Sequence, residues 1–164
     1  MKQDTSYKYI YAIKNRQVYN IVLGIGMIGF AVFLFFYFNT DTTRIVLITV
    51  ISVLGIIPLL ISLHYYIVSR EVEITIHTDK DLVEISRRGE YFTFTIDDIK
   101  SVEIHEHKGL GLYEFDFDYA KYNLKDGKFF VATSYMTGEY YIPKGIEPKL
   151  TKEFFSIIWR GTNI

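Results

Sequence analysis

Two apolar stretches without Asp, Glu, Lys or Arg, Val18 to Phe38 and Ile45 to Val68, stand six residues apart near the start of the chain. A helix rises 1.5 Å per residue and needs about 20 residues to cross roughly 30 Å of hydrocarbon, and each stretch meets that length. The linker Asn39-Thr40-Asp41-Thr42-Thr43-Arg44 is polar and permits only a tight reversal. The pattern predicts a transmembrane hairpin with spans 18–38 and 45–68, a leading segment 1–17 and a following domain 71–164. The first span is too long for the apolar region of a signal peptide and has a second span behind it.

After Arg70 the pattern switches from continuous to alternating. Val72, Ile74 and Ile76 alternate with Glu71, Glu73, Thr75 and His77, the signature of a half-buried strand. Further strands are expected over Leu82–Arg87, Tyr91–Ile96, Ile99–His107, Leu112–Tyr119, Phe129–Tyr135 and Glu139–Ile142. Turn residues separate them: Thr78-Asp79-Lys80-Asp81, Arg88-Gly89, Asp97-Asp98, Lys108-Gly109-Leu110-Gly111, Lys125-Asp126-Gly127 and Met136-Thr137-Gly138, with Pro143 ending the last strand. From Glu147 to Arg160 the period becomes helical, with Leu150, Phe154, Ile157 and Ile158 on one face, Pro148 in the first turn and Gly161 as a stop. The fold class expected is a membrane α-hairpin plus an α+β domain, seven antiparallel strands in two sheets capped by a C-terminal helix.

Charge is divided unevenly. Residues 1–70 hold six Lys/Arg against two Asp/Glu, and the remainder holds twelve against seventeen. Phosphate contacts need clustered Lys and Arg, so the acidic domain excludes nucleic acid as a partner. Lys2, Lys8, Lys14 and Arg16 precede the first span, while the inter-span loop holds only Arg44. Basic flanks stay inside, which predicts a multi-pass inner-membrane protein with its N-terminus and large domain cytoplasmic. The chain has no cysteine, which removes disulfides, thiol catalysis and thiolate metal sites.

Gly24-Ile25-Gly26-Met27-Ile28-Gly29 spells G-x-G-x-x-G, yet a dinucleotide loop needs a preceding strand and a solvent-facing helix start. Inside a span, the glycines instead predict close helix–helix approach, against Ser52 or Gly55. Pro58 removes one backbone donor and is expected to bend the second helix. His64 is either a buried proton site or a side chain reaching interface water beside Tyr65 and Tyr66.

The stretch Tyr91-Phe92-Thr93-Phe94-Thr95-Ile96-Asp97-Asp98-Ile99-Lys100-Ser101-Val102 resembles the recurring strand, turn and next strand of bacterial membrane-anchored pleckstrin-homology (PH) proteins. Tyr140-Tyr141-Ile142-Pro143-Lys144 is similar to the ending of their YcxB-like branch. The resemblance implies a PH-like fold placed directly behind a two-helix hairpin. Lipid-binding members of the wider fold carry Lys and Arg around the first strand–loop–strand. At the segment taken to correspond, Thr75 to Arg88, this chain offers Lys80, Arg87 and Arg88 as lipid-phosphate candidates, diluted by Asp79, Asp81 and Glu84.

His105 and His107 fall two apart on a strand and share a face, as do Glu114, Asp116 and Asp118 on the next. If those strands pair, His105, His107, Glu114 and Asp116 form a candidate set for a divalent metal such as zinc or manganese; otherwise they are the wet face of a hairpin with charges pairing across it. No serine has a nucleophile elbow or a base beside it, so no catalytic residue, no cofactor and no enzymatic activity are expected. The function expected is a binding or scaffolding module that displays a protein-docking surface at the membrane, with the lipid bilayer and one protein as partners and room for a homo-oligomer. Two alternatives stay open: an immunity or stress-response protein acting through its hairpin, and a metal- or ligand-sensing domain using His105, His107 and the acidic strand.

Overall fold

Continuous apolar sequence becomes helix and alternating sequence becomes sheet. The computed structural model describes residues 6–12, 15–37, 41–107, 117–136, 139–153, 158 and 162–164. Helix α1 spans Asn15–Tyr37 and α2 spans Thr42–Arg70. Asp41 caps α2, its carboxylate accepting from Arg44 N at 2.9 Å, and the helix continues through Pro58 without interruption. At 29 residues α2 is about 43 Å long, well beyond the roughly 30 Å of a hydrocarbon core. Both helices are long and apolar enough to cross a membrane, and most of their apolar side chains are exposed, Phe36 by 77%.

The glycines pack as expected at one position of three. A Cβ on Gly24 would lie 3.0 Å from Gly55 O, and a Cβ on Gly55 would lie 2.9 Å from Gly24 O, whereas Gly26 and Gly29 face open space. The helices therefore touch backbone to backbone at Gly24 and Gly55.

Eight strands among the described residues form two four-stranded sheets. The first has the order β1-β2-β3-β4, built from Ser6–Tyr9, Val72–His77, Leu82–Arg87 and Glu90–Thr95, all antiparallel. The second has the order β7-β6-β5-β8, built from Phe129–Thr133, Tyr119–Leu124, Ile99–His107 and Lys149–Glu153. Strand β1 precedes the helices and pairs with β2, which follows them, so Tyr9 faces Ile74 across a connection made by the hairpin itself. Between the sheets lie Tyr9, Ile74, Ile76, Val83, Ile85, Val102, Tyr122 and Phe130, all essentially buried, with the Tyr122 and Phe130 rings stacked at 4.5 Å.

The far face of the second sheet is covered by the end of α2. Ile61 and Tyr65 pack there with Phe117, Tyr119, Val131, Tyr135 and Ile158. Tyr65 Oη donates to Phe117 O at 2.6 Å, and the Ser69 and Thr133 hydroxyls lie 2.6 Å apart. His64 Nε2 donates to Ile158 O at 2.8 Å, which ties α2 to the backbone near the C-terminus. Strands β6 and β7 are thus buried on both faces.

Three expectations need correction. In place of seven antiparallel strands there are eight among the described residues, and one pairing, β5 with β8, is parallel. The helix expected over 147–160 is not seen among the described residues, and 154–157, 159 and 160 lie outside them: Lys149–Glu153 is strand β8, parallel to β5 from Glu103↔Lys149 to His107↔Glu153. The nine-residue β5 presents polar backbone groups on the side away from β6, and a strand satisfies them where a helix would not. Leu150, read as a core position of that helix, is 51% exposed. The strand expected over Glu139–Ile142 is irregular instead, held by Tyr141 N donating to Tyr9 Oη at 2.7 Å. The Lys125-Asp126-Gly127 turn stands as expected, with Gly127 at φ 86°. The strand before it is Tyr119–Leu124, and most of the Leu112–Tyr119 segment lies outside the described residues.

Candidate functional site

The turn Arg88-Gly89 joins β3 to β4 with φ of 50° and 86°, the positive pair of a two-residue type I′ hairpin. Arg87 and Glu90 close that hairpin, and the pairs then alternate along the ladder: Ser86↔Tyr91, Ile85↔Phe92, Glu84↔Thr93, Val83↔Phe94. Closing pairs exchange both hydrogen bonds, so the N–H groups of Tyr91, Thr93 and Thr95 point away from β3. Thr95 shows this directly: its N–H and its hydroxyl both donate to Asp98 Oδ2 at 2.9 Å. Those two bonds hold the Asp98 carboxyl below the usual carboxylate range.

Among the described residues β4 therefore has a strand on one side only, with the outward groups of Tyr91 and Thr93 facing away from it. Phe92 and Phe94 turn into the core, while the Tyr91 side chain is 81% exposed. The strand carries no Lys, Pro or bulge, the features that blunt an edge. Beside it lies a cavity of about 460 Å³, bounded by Tyr91, Phe92 and Phe94 on one wall and by Leu124, Lys125 and Lys128 of the β6–β7 turn on the other. That volume is within the roughly 300–1,000 Å³ of ligand pockets.

The lipid-phosphate candidates do not come together. Lys80 sits in the β2–β3 turn, whereas Arg87 and Arg88 sit at the opposite end of β3, about 17–20 Å away at 3.3 Å per residue. Arg88 Nε is bound to Glu71 Oε2 at 2.5 Å and lies at the end of α2. The correspondence drawn from Thr75 to Arg88 is also displaced by one strand. The first strand is Ser6–Tyr9, so the connection between the first two strands is the helical hairpin.

His105 and His107 share the face opposite Val102 and Ile104, as the alternation requires. His105 stacks on Tyr119 with centroids 4.4 Å apart, 3.8 Å from a Glu103 oxygen, and His107 lies edge-on to Phe117. Glu114 and Asp116 lie outside the described residues, and among the described residues no three His, Asp or Glu side chains are grouped so as to hold a metal ion. His107 N donates to Asp118 Oδ1 at 2.7 Å. Burial holds the His107 imidazole below the usual histidine range.

That shift gives a pH dependence of definite sign. The unfolded chain takes up the His107 proton near pH 6.5 and the folded chain only at lower pH, so in between the unfolded state binds more protons. Stability is full above about pH 6.5 and falls as the pH drops toward the folded value. Urea unfolding at about pH 7.5 and pH 5.5 is expected to show a lower midpoint at the acid pH, with a smaller difference in His107→Gln. An unchanged difference in the variant would exclude His107 as the source.

Docking by strand addition to an open edge is an expectation the sequence supports without locating the edge. Tyr91, Thr93 and Thr95 alternate as on any half-buried strand, and only the sheet order identifies β4 as an edge.

A family model described as PH domain matches residues 10–142, which includes the hairpin. No curated protein and no solved structure matches the chain.

Proposed function

Because the chain belongs to the PH-domain family, we propose that it is a non-enzymatic binding module, anchored in a bacterial inner membrane, whose β4 edge receives an extended segment of a protein partner. The single observation that carries this reading is the outward N–H and C=O groups of Tyr91 and Thr93 beside a half-apolar cavity. An added strand takes its affinity from such main-chain groups and its specificity from neighbouring pockets. Lys125 and Lys128 on the far wall are offset by Asp98 and Asp126 of the same lining, so the lining side chains carry no net charge and the main-chain groups of β4 dominate recognition.

Membrane anchorage is supported by the exposed apolar surface of α1 and α2, which water tolerates only in patches of a few hundred Å². Because β1 and β2 flank the hairpin and pair with each other, both ends of the hairpin return to one side. The basic residues before α1 favour the cytoplasm for that side.

Thr93→Pro removes an outward donor while sparing the ladder with β3, so folding stability should change by about 1 kcal/mol or less. A photoreactive amino acid at Tyr91 in intact cells is expected to capture one protein, with the same residue at Lys144 as control. The capture should vanish in Thr93→Pro. Capture that is equal at both positions, or indifferent to the proline, contradicts docking at this edge.

A further inference from the structure

A second cavity, of about 270 Å³, lies where the hairpin meets the sheets. Its walls are Ile21 of α1, Leu59, Leu63 and Tyr66 of α2, Tyr11 after β1 and Tyr135 after β7. The last two are brought together by the bridge Tyr11↔Met136 and by Ala12 N donating to Tyr135 O at 2.9 Å. The Tyr11 ring meets the Tyr66 ring edge-on at 5.3 Å, closing the end toward Arg70, whose Nη1 donates to Tyr66 Oη at 3.0 Å. The lining is almost wholly apolar and smaller than the roughly 300–1,000 Å³ of pockets for whole drug-sized ligands. It fits part of one alkyl chain.

Position identifies the source of that chain. Ile21 is 37% exposed and Leu63 54% exposed on the outer faces of the two spans, so the cavity opens toward hydrocarbon. From Tyr66 to Leu59 the wall runs about 10 Å along α2, beginning one turn below Arg70. With Arg70 at headgroup depth, this is where the glycerol esters and upper chain carbons of a phospholipid lie. Ser62 also lines the cavity, is only 4% exposed, and its hydroxyl has no hydrogen-bond partner among the described residues. A buried hydroxyl left unpaired calls for a ligand or water partner, and an ester carbonyl at this depth is an acceptor of the right kind.

We propose that this cavity is a lipid site, holding the upper acyl chain of a bilayer phospholipid between the two spans and the PH domain. The proposal rests on the membrane reading above. Seated there, the chain touches Tyr135 of the PH domain and Leu63 of the span at once, and so joins the two parts of the protein.

The test uses the full-length chain in vesicles of phosphatidylethanolamine and phosphatidylglycerol, with a trace of phosphatidylethanolamine carrying a diazirine on its upper acyl chain. Adducts located by mass spectrometry are expected on Tyr11 or Tyr135 as well as on the lipid-facing Phe33, Phe35 and Phe36. Filling the cavity by Ser62→Phe, or from its outer wall by Leu63→Trp, should remove the Tyr11 and Tyr135 adducts and leave those on the phenylalanines. Alkaline carbonate extraction is run on the same vesicles. A chain that is extracted overturns both the membrane reading and the lipid site. An integrated chain labelled only on the phenylalanines, or labelled at Tyr135 regardless of both filling variants, overturns the lipid site alone.

Discussion

Tyr9→Ala is expected to destabilise the sheets by about 3–5 kcal/mol, the cost of emptying a buried aromatic position. Tyr9 is 1% exposed, on a strand of only four residues, and its phenol ties two distant segments together. Its Oη donates to Glu139 O at 2.6 Å and accepts from Tyr141 N at 2.7 Å. Burial raises the Tyr9 phenol above the usual tyrosine range and pushes that of its neighbour Tyr122 well above it, so neither ionises near neutral pH. Tyr9→Phe keeps the ring and removes the two bonds, which should cost about 1–3 kcal/mol. Urea unfolding in detergent, followed by near-ultraviolet circular dichroism, separates the two contributions. A Tyr9→Ala chain as stable as the parent would mean that β1 is not part of the sheet.

Gly55→Val is expected to force the two helices apart at a cost of about 1–3 kcal/mol or more, as in other overpacked cores. The added Cβ would lie 2.9 Å from Gly24 O, 3.1 Å from Ile28 Cγ1 and 3.2 Å from Met27 Cβ, and the first of these is backbone that cannot rotate aside. Gly26→Val is the matched control, since nothing lies within 4 Å of its would-be Cβ. The thermal midpoint in detergent should fall for Gly55→Val and stay near the parent for Gly26→Val. Equal losses would indicate that Gly24 and Gly55 are not where the spans touch.

The two long helices were legible because each is a continuous apolar run of more than twenty residues, too long for a strand. Strands β2 to β5 were legible because Val72, Ile74 and Ile76, or Phe92 and Phe94, alternate over enough residues to declare a face. Strand β1 was not: Ser6–Tyr9 buries one side chain, Tyr9, and its partner β2 lies beyond the whole hairpin. Local periodicity carries no information about such a pairing. Strand β8 was misread because Leu150, Phe154, Ile157 and Ile158 satisfy a helical period, while the free side of β5 that recruits Lys149–Glu153 is visible only in the folded sheet. The same distinction separates Lys80 from Arg87 and Arg88, neighbours in sequence at opposite ends of one strand. His105 and His107 were placed on the correct face, but their neighbours there, Tyr119 of the paired strand β6 and Phe117 just before it, follow from the β5–β6 register. That β4 is an edge depends on sheet order, which no local pattern encodes.

A hairpin that crosses the membrane between the first two strands of a PH domain has both of its ends on one side, the cytoplasmic side in the function proposed above. A chain without cysteine makes this directly testable with single substitutions Lys8→Cys, Thr42→Cys and Lys128→Cys and a membrane-impermeant maleimide. Thr42→Cys should label in cells whose inner membrane is intact, while Lys8→Cys and Lys128→Cys should label only after that membrane is permeabilised. Labelling of all three together, or of Lys8→Cys and Lys128→Cys from opposite sides, would contradict it.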